Sequence, residues 1–248
     1  MKIFACSDLH SFFTPFKKAL DAKGFEPSNK DHLLVVCGDC LDRGSETNEV
    51  VEFLSSLTNV VLVKGNHEVL MEAIWERGGY LSYDKHNGTA RSVQDIFYKN
   101  VNMEPYTPIR VSEKVLRPFF DKMVNYFETK SYIFCHSFLP LKYDATKKFA
   151  EYGGPTLYKE DWREATDAEW EDAMWGNPFK LAEAGLNKTG KTLVFGHWGT
   201  YETRPAAYEG EDLFSPVFGH GYIGLDATTA LSGEVNVIVL EDELLETI

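Results

Sequence analysis

Five short apolar runs each stop at a polar cluster. Lys2–Cys6 runs into Asp8-Leu9-His10, and His32–Cys37 into Gly38-Asp39. Val60–Val63 leads to Gly65-Asn66-His67, Tyr132–Cys135 to His136, and Thr192–Phe195 to Gly196-His197. The runs do not alternate apolar with polar residues, which is the pattern of strands covered on both faces. Between the first three lie segments with helical spacing. Residues 13–23 carry Phe13, Phe16, Ala19 and Leu20. Residues 46–57 carry Val50, Val51, Phe53, Leu54 and Leu57, with Ser45 or Thr47 as the expected cap. Strand, helix, strand, helix, strand predicts two successive parallel crossovers. In open α/β sheets ligands gather at the carboxyl ends of the strands, and every polar cluster lies at such an end.

Beyond residue 70 the pattern turns helical and irregular. Helices are expected to continue through 72–75 and to occupy 93–98 and 113–127, with breaks at Gly78-Gly79, Asn87-Gly88 and Pro105 to Pro108. This stretch, about 76–130, reads as a helical insertion, and about 140–188 as a second. Within the second, residues 159–172 hold seven acidic and two basic side chains, expected as a solvated face. Residues 222–225, a turn at Ser232-Gly233 and residues 235–240 predict a closing hairpin. The expected organisation is a single domain over residues 1–248, with 44% apolar residues to build its core.

The formal charge of −13, with no Lys/Arg run, argues against nonspecific nucleic-acid binding, which needs many cations on phosphates. The N-terminus lacks the apolar stretch of a signal peptide and no window suits a membrane span, so a cytoplasmic location is expected. Four cysteines, Cys6, Cys37, Cys40 and Cys135, are expected as reduced, buried thiols.

The polar clusters supply two carboxylates, one amide oxygen and three imidazoles, a donor set for divalent cations. Asp8 and His10 can face one ion from one loop. Asp39 has two oxygens and can bridge two ions. Asn66 offers a carbonyl oxygen, and His136 and His197 complete the second position. Two ions roughly 3.5–4 Å apart stabilise both attacking and leaving oxygens of a phosphate. His67, Asp42 and Arg43 remain to act on that phosphate. Manganese is the expected metal, with Fe2+ and Zn2+ compatible with the same donors. His220 competes with His197, but no strand precedes it. His32 and His86 are expected to face solvent.

In order, Asp8-Leu9-His10, Gly38-Asp39-Cys40-Leu41-Asp42-Arg43-Gly44, Gly65-Asn66-His67-Glu68, Cys135-His136 and Gly196-His197 resemble the calcineurin-like metallophosphoesterases. The likeness is to the serine/threonine phosphoprotein phosphatase branch of bacterial and phage type. Gly224-Leu225-Asp226-Ala227 resembles its closing strands. The resemblance implies a four-layer α/β/β/α sandwich with helical insertions. It also implies a two-metal phosphoesterase that cleaves phosphate monoesters by in-line attack of metal-bound hydroxide. Asp8, His10 and Asp39 would hold one metal, and Asp39, Asn66, His136 and His197 the other. His67 would be the general acid, set by Asp42, and Arg43 would clamp the phosphate. Glu68 is given a structural role.

The sequence departs from that pattern in two places. Ser7 and Ser11 stand where glycine is usual. Trp175-Gly176-Asn177 stands where a second phosphate-clamping arginine follows a tryptophan, so Asn177, Lys180 or Arg163 is expected to substitute. Trp198 follows His197 and is expected in the core. The expected substrate is a phosphorylated protein or a small phosphate ester. The competing readings are a dinucleoside polyphosphate hydrolase, suggested by Tyr80, Tyr83, Trp162, Trp170 and Trp175, and a non-catalytic metal-binding scaffold.

Overall fold

The computed structural model describes residues 1–104, 107–142, 157–204 and 213–245. Pro105 therefore lies outside the described residues, as does the middle of the second insertion. The chain opens with β1 (Lys2–Cys6), α1 (Phe13–Ala22), β2 (His32–Cys37), α2 (Thr47–Ser56) and β3 (Val60–Val63). Helices α3 (Asn66–Arg77), α4 (Ser82–His86), α5 (Thr89–Lys99) and α6 (Pro108–Phe120) follow. Then come β4 (Tyr126–Glu128), β5 (Tyr132–Cys135), β6 (Leu141–Lys142), β7 (Leu157–Tyr158), α7 (Asp167–Ala173) and α8 (Pro178–Glu183). The last elements are β8 (Thr192–Phe195), β9 (Val217–Gly219), β10 (Tyr222–Gly224), α9 (Thr229–Ser232) and β11 (Ile238–Glu241).

Two main sheets form, in the orders β11-β1-β2-β3 and β4-β5-β8-β10-β9, and β6 pairs with β7 in a small third one. The five unalternating runs are all strands, and β1, β2 and β3 are parallel, as are β5, β8 and β10. Alternate residues of each strand serve different cores. Ile3, Ala5, Val35 and Cys37 of one sheet meet Phe134, Val194 and Ile223 of the other. Phe4, Cys6, Leu34 and Val36 pack outward on α1, α2, α3, α5 and α6. Ile133, Cys135, Leu193 and Phe195 pack outward on Trp162, Trp170 and Phe179. The result is the expected four-layer sandwich. All four cysteines are buried and free. Among the described residues no helix is long and apolar enough to cross a membrane.

Several local expectations are corrected. The helix expected at 113–127 starts at Pro108, whose fixed φ suits a first helical position, and ends at Phe120. Val124 then joins β3 by exchanging backbone bonds with Leu62 and Lys64, and β4 follows. The closing hairpin does not form. β10 pairs with β8 and β9, whereas β11 pairs antiparallel with β1 in the other sheet. Asn236 Nδ2 holds the crossing by donating to Phe214 O and Leu225 O. The N-cap of α2 is Glu46, with no side-chain cap; Thr47 Oγ1 donates to Ser11 Oγ instead. His32 is buried rather than solvent-facing, between Phe4 and Phe25, and its Nδ1 accepts from Glu26 N.

Candidate active site

Every polar cluster lies where its strand ends, so loops from both sheets converge. The loops after β1 and β2 run side by side. Asp8 N, His10 N and Ser11 N donate to Gly38 O, Asp39 O and Cys40 O at 3.1, 3.0 and 2.9 Å. These turns are strained: Asp8, His10, Ser11, Asp39, Asp42, Arg43 and His197 all have φ between 46° and 80°. Non-glycine residues rarely adopt that region, and it clusters at functional sites. Ser11 thus takes the left-handed conformation that glycine would enter without strain.

Glu68 ties the second and third loops together, a role that its sequence position only hinted at. It occupies the third position of α3, the capping-box position. Its Oε2 accepts from Gly65 N (2.9 Å) and Asp39 N (3.0 Å), and its Oε1 from Cys40 N (2.9 Å). Two glycines let the carboxylates approach the neighbouring loops closely. A Cβ on Gly65 would lie 2.2 Å from Asp39 Oδ1, and one on Gly196 would lie 1.9 Å from Asp8 Oδ2. Asp8 is anchored further by His197 N, which donates to its carboxylate, and by Thr229 Oγ1, which donates to its carbonyl.

Asp39 sits at the centre. Its Oδ2 is 3.7 Å from His10 Nε2, itself 3.9 Å from Asp8 Oδ1, and its Oδ1 is 3.4 Å from His136 Nε2. Asn66 Oδ1 lies 2.8 Å from His136 Nε2 and 3.1 Å from His197 Nδ1. The outer nitrogens of the rings are spent on backbone carbonyls: His10 Nδ1 on Leu41 O, His136 Nδ1 on Cys37 O, and the His197 ring on Trp175. Hence the inward nitrogens of His10, His136 and His197 carry lone pairs. Lone pairs of two nitrogens, an amide oxygen and a carboxylate oxygen all point into one small volume. Such an arrangement repels itself unless a cation lies between the atoms, and two such groupings share Asp39.

The electrostatics separate the four imidazoles. Burial lowers His10, His136 and His197, the last to about 3, so all three are neutral at pH 7. Burial also opposes the charged form of His67, but the charge of Asp39 and the bond and charge of Asp42 outweigh it, and its pKa is raised. Asp8 is pushed well above the carboxylate range by burial and by Asp226 and Asp39. Burial opposes ionisation of Asp39, yet the surrounding imidazoles, His136 foremost, hold it below that range. His67 Nδ1 donates to Asp42 Oδ2 at 2.8 Å, and Arg43 Nη2 reaches His67 Nε2 at 3.3 Å. By distance alone His67 could also serve with His10 and Asp39 as a ligand, since its Nε2 is 3.9 Å from Asp39 Oδ2.

The structure therefore brings together Asp8, His10, Asp39, Asp42, Arg43, Asn66, His67, His136 and His197. Asn177 is not in that group. Its Oδ1 caps α8 by accepting from Lys180 N, although Ser137 Oγ bonds the preceding Gly176 O and so keeps the segment beside the His136 loop. Arg163 does not reach in, because it forks onto Glu128 through Nε (2.7 Å) and Nη2 (2.6 Å). His220 is exposed in the turn before β10, and Trp198 packs on the outer core of the second sheet. Trp162 and Trp170 are buried with Tyr126, while Trp175 is 51% exposed and stands edge-on to His197. Thr89, Ser92 and Asp226 also border the site. Asn87-Gly88 signalled only a helix break before them, and nothing in the sequence marked Thr89 or Ser92.

Comparison with known proteins agrees with this geometry. Among solved structures, a protein serine/threonine phosphatase from Saccharomyces cerevisiae shares 16% identity at a TM-score of 0.53. The alignment covers 100% of this chain and 81% of that one. A cold-active protein-tyrosine phosphatase of a psychrophilic Shewanella shares 15% at a TM-score of 0.61, over 97% and 75%. At these identities the likeness concerns the fold. Among curated relatives, a symmetrical bis(5'-nucleosyl)-tetraphosphatase of Aromatoleum aromaticum is 38% identical over 72 residues, 29% of this chain and 26% of the relative. One from Pseudomonas putida is 37% identical over 76 residues, 30% and 26%. The matched segments span about a quarter of the length of these relatives. The profile of the calcineurin-like phosphoesterases matches residues 1–220. The chain belongs to the calcineurin-like phosphoesterases, a family of metal-dependent hydrolases of phosphate esters.

Proposed function

We propose that this protein hydrolyses phosphate monoesters, with phosphoserine and phosphothreonine as its substrate class. Asp8, His10 and Asp39 would hold one divalent ion; Asp39, Asn66, His136 and His197 would hold the other. Manganese is the metal we expect. Bound there, the pair would supply Lewis-acid chemistry, neutralising phosphate charge and making water a better nucleophile near neutral pH. The observation that carries the reading is geometric: His10 and His136 spend their outer nitrogens on backbone carbonyls, His136 and His197 face Asn66, and His67 alone is bound through Nδ1 by the buried carboxylate of Asp42.

His67 is then the proton donor to the leaving oxygen. Its Nδ1–H is fixed by Asp42, so the proton that leaves is the one on Nε2. Without substrate, Arg43 Nη2 faces that nitrogen. A phosphate that engages the planar fork of Arg43 draws the guanidinium away and frees Nε2 to carry the proton. Arg43 is exposed enough to make that move. Although it stands outside the converging group, Asn177 is the residue we assign to a second phosphate contact, on the segment that Ser137 holds beside the His136 loop.

A second reading, hydrolysis of dinucleoside polyphosphates, is favoured by exposed Trp175 beside His197 and by the names of the curated relatives that match over short segments. One experiment separates them. Metal-stripped protein receives Mn2+ and is assayed on p-nitrophenyl phosphate, a phosphothreonine peptide and diadenosine tetraphosphate. Manganese-dependent release, fastest from the first two, is expected. Faster cleavage of the third moves the assignment to the second reading. No release from any, with two ions bound, leaves the scaffold reading.

A further inference from the structure

The first turn of α5 lies directly beneath the Asp42–Arg43 turn. Thr89 Oγ1 donates to Asp42 Oδ2 at 2.5 Å, the same oxygen that accepts from His67 Nδ1. Ser92 Oγ accepts from Asp42 N at 2.9 Å. Gly88 rests on the turn so closely that a Cβ would lie 2.2 Å from Arg43 N and 2.7 Å from its Cα. The turn needs such support. Asp42 and Arg43 have φ of 80° and 59° without being glycine. Asp42 is fully buried, and its Oδ1 has no hydrogen-bond partner among the described residues. The direction of the carboxylate therefore rests on the two bonds that converge on Oδ2. The platform is itself firm: Val93 and Ile96 sit in the main core, and Asn48 Nδ2 ties Asp95 O to α2.

We infer that Thr89 is a positioning residue for proton transfer. Its hydroxyl locks the Asp42 carboxylate so that Oδ2 faces His67 Nδ1, and the lock keeps His67 Nε2 aimed at the leaving oxygen. The inference rests on the proposed role of His67 as the acid. It gives the first insertion a task in the chemistry, because α5 supplies the residue that orients the dyad from outside the metal-binding loops. Thr89 touches no substrate.

A leaving group that departs easily needs little protonation, whereas a poor one depends on the acid. The readout is therefore the ratio of kcat on phenyl phosphate to kcat on 2,4-dinitrophenyl phosphate, measured on Mn2+-loaded protein. For Thr89→Val the ratio is expected to fall roughly ten- to a hundredfold, the scale of losing one hydrogen bond to a buried charge. Thr89→Ser should restore it. Thr89→Ala carries the same expectation should the valine variant not fold. His67→Asn is the reference and should lower the ratio further. An unchanged ratio in the Thr89 variants beside a lowered ratio in His67→Asn overturns the inference and leaves the proposed function standing. An unchanged ratio in His67→Asn overturns the acid assignment, and the inference with it.

Discussion

Replacing Gly65 by alanine should disable the site while leaving the fold intact. Gly65 has an ordinary negative φ, so the backbone accepts a side chain. Space does not: the new Cβ would lie 2.2 Å from Asp39 Oδ1, 2.5 Å from Asp39 N and 3.0 Å from Glu68 Oε2. Rotating the Asp39 side chain relieves only the first contact. The second requires the two loops to part by about 1 Å, because close-packed interiors hold no spare volume. Parting them also stretches the bonds from Asp39 N and Gly65 N to Glu68. Overpacking of this kind costs about 1–3 kcal/mol, a fall in Tm of about 2–12 °C for a chain of this size. A 1 Å displacement of the Asp39 carboxylate, the proposed shared ligand, should cost about 10²-fold in rate. Gly79 and Gly78 are the controls, since neither has an atom within 4 Å of a new Cβ. Gly79→Ala should leave rate and stability within about 0.5 kcal/mol of wild type. Gly78 is the left-handed cap of α3, with φ of 67°, so Gly78→Ala should lose about 1 kcal/mol without loss of rate. The assay is metal content, Mn2+-dependent p-nitrophenyl phosphate hydrolysis and thermal unfolding on all three. Two bound ions and a wild-type rate in Gly65→Ala, or an equal loss of rate in Gly79→Ala, would refute the reasoning.

Two further variants test strain and charge. Thr228 is β-branched, has φ of 49°, and its buried Oγ1 lacks a partner; Thr228→Gly should therefore raise stability by about 1 kcal/mol, and a lower Tm would show that no strain is stored there. Burial alone would raise the Glu128 pKa, but hydrogen bonds from Arg163 and Lys191 bring it below the usual glutamate value. A folded-state pKa below the unfolded one stabilises the protein above about pH 4.3, and that contribution is lost as pH falls through the lower folded value. Glu128→Gln should thus be less stable than wild type near neutrality and converge with it in acid, as followed by urea unfolding; a gap independent of pH would contradict this.

Much of the architecture is legible in the chain because burial on both faces leaves a mark in the sequence. A strand sandwiched between layers cannot alternate, and the five unalternating runs are strands to the residue. Their polar ends follow from the same rule, since a polar cluster after such a run can only emerge at the rim. Capping and pairing were less legible. Glu46 replaced the expected caps because Thr14 satisfies its carboxylate and Thr47 is drawn to Ser11, contacts between distant loops. The helix expected to run to residue 127 gave way because Val124 bonds Leu62 and Lys64 and β4 pairs with β5.

The sequence by itself determined the donor set at the strand ends and the strands that carry it, for both follow from local apolar content and from spacing along the chain. It could not determine that β11 leaves its apparent hairpin partner for β1, since strand pairing is a competition between distant partners. The motif set His67 apart from the other imidazoles, but spacing along the chain gave no physical reason for the difference. All four histidines stand alike at strand ends. Tertiary structure alone sets carbonyls of Leu41, Cys37 and Trp175 against three of them, and Asp42, held by Thr89, against the fourth. Protonation in a buried site is governed by the charges and dipoles within a few ångströms, and those are fixed only when separate loops meet.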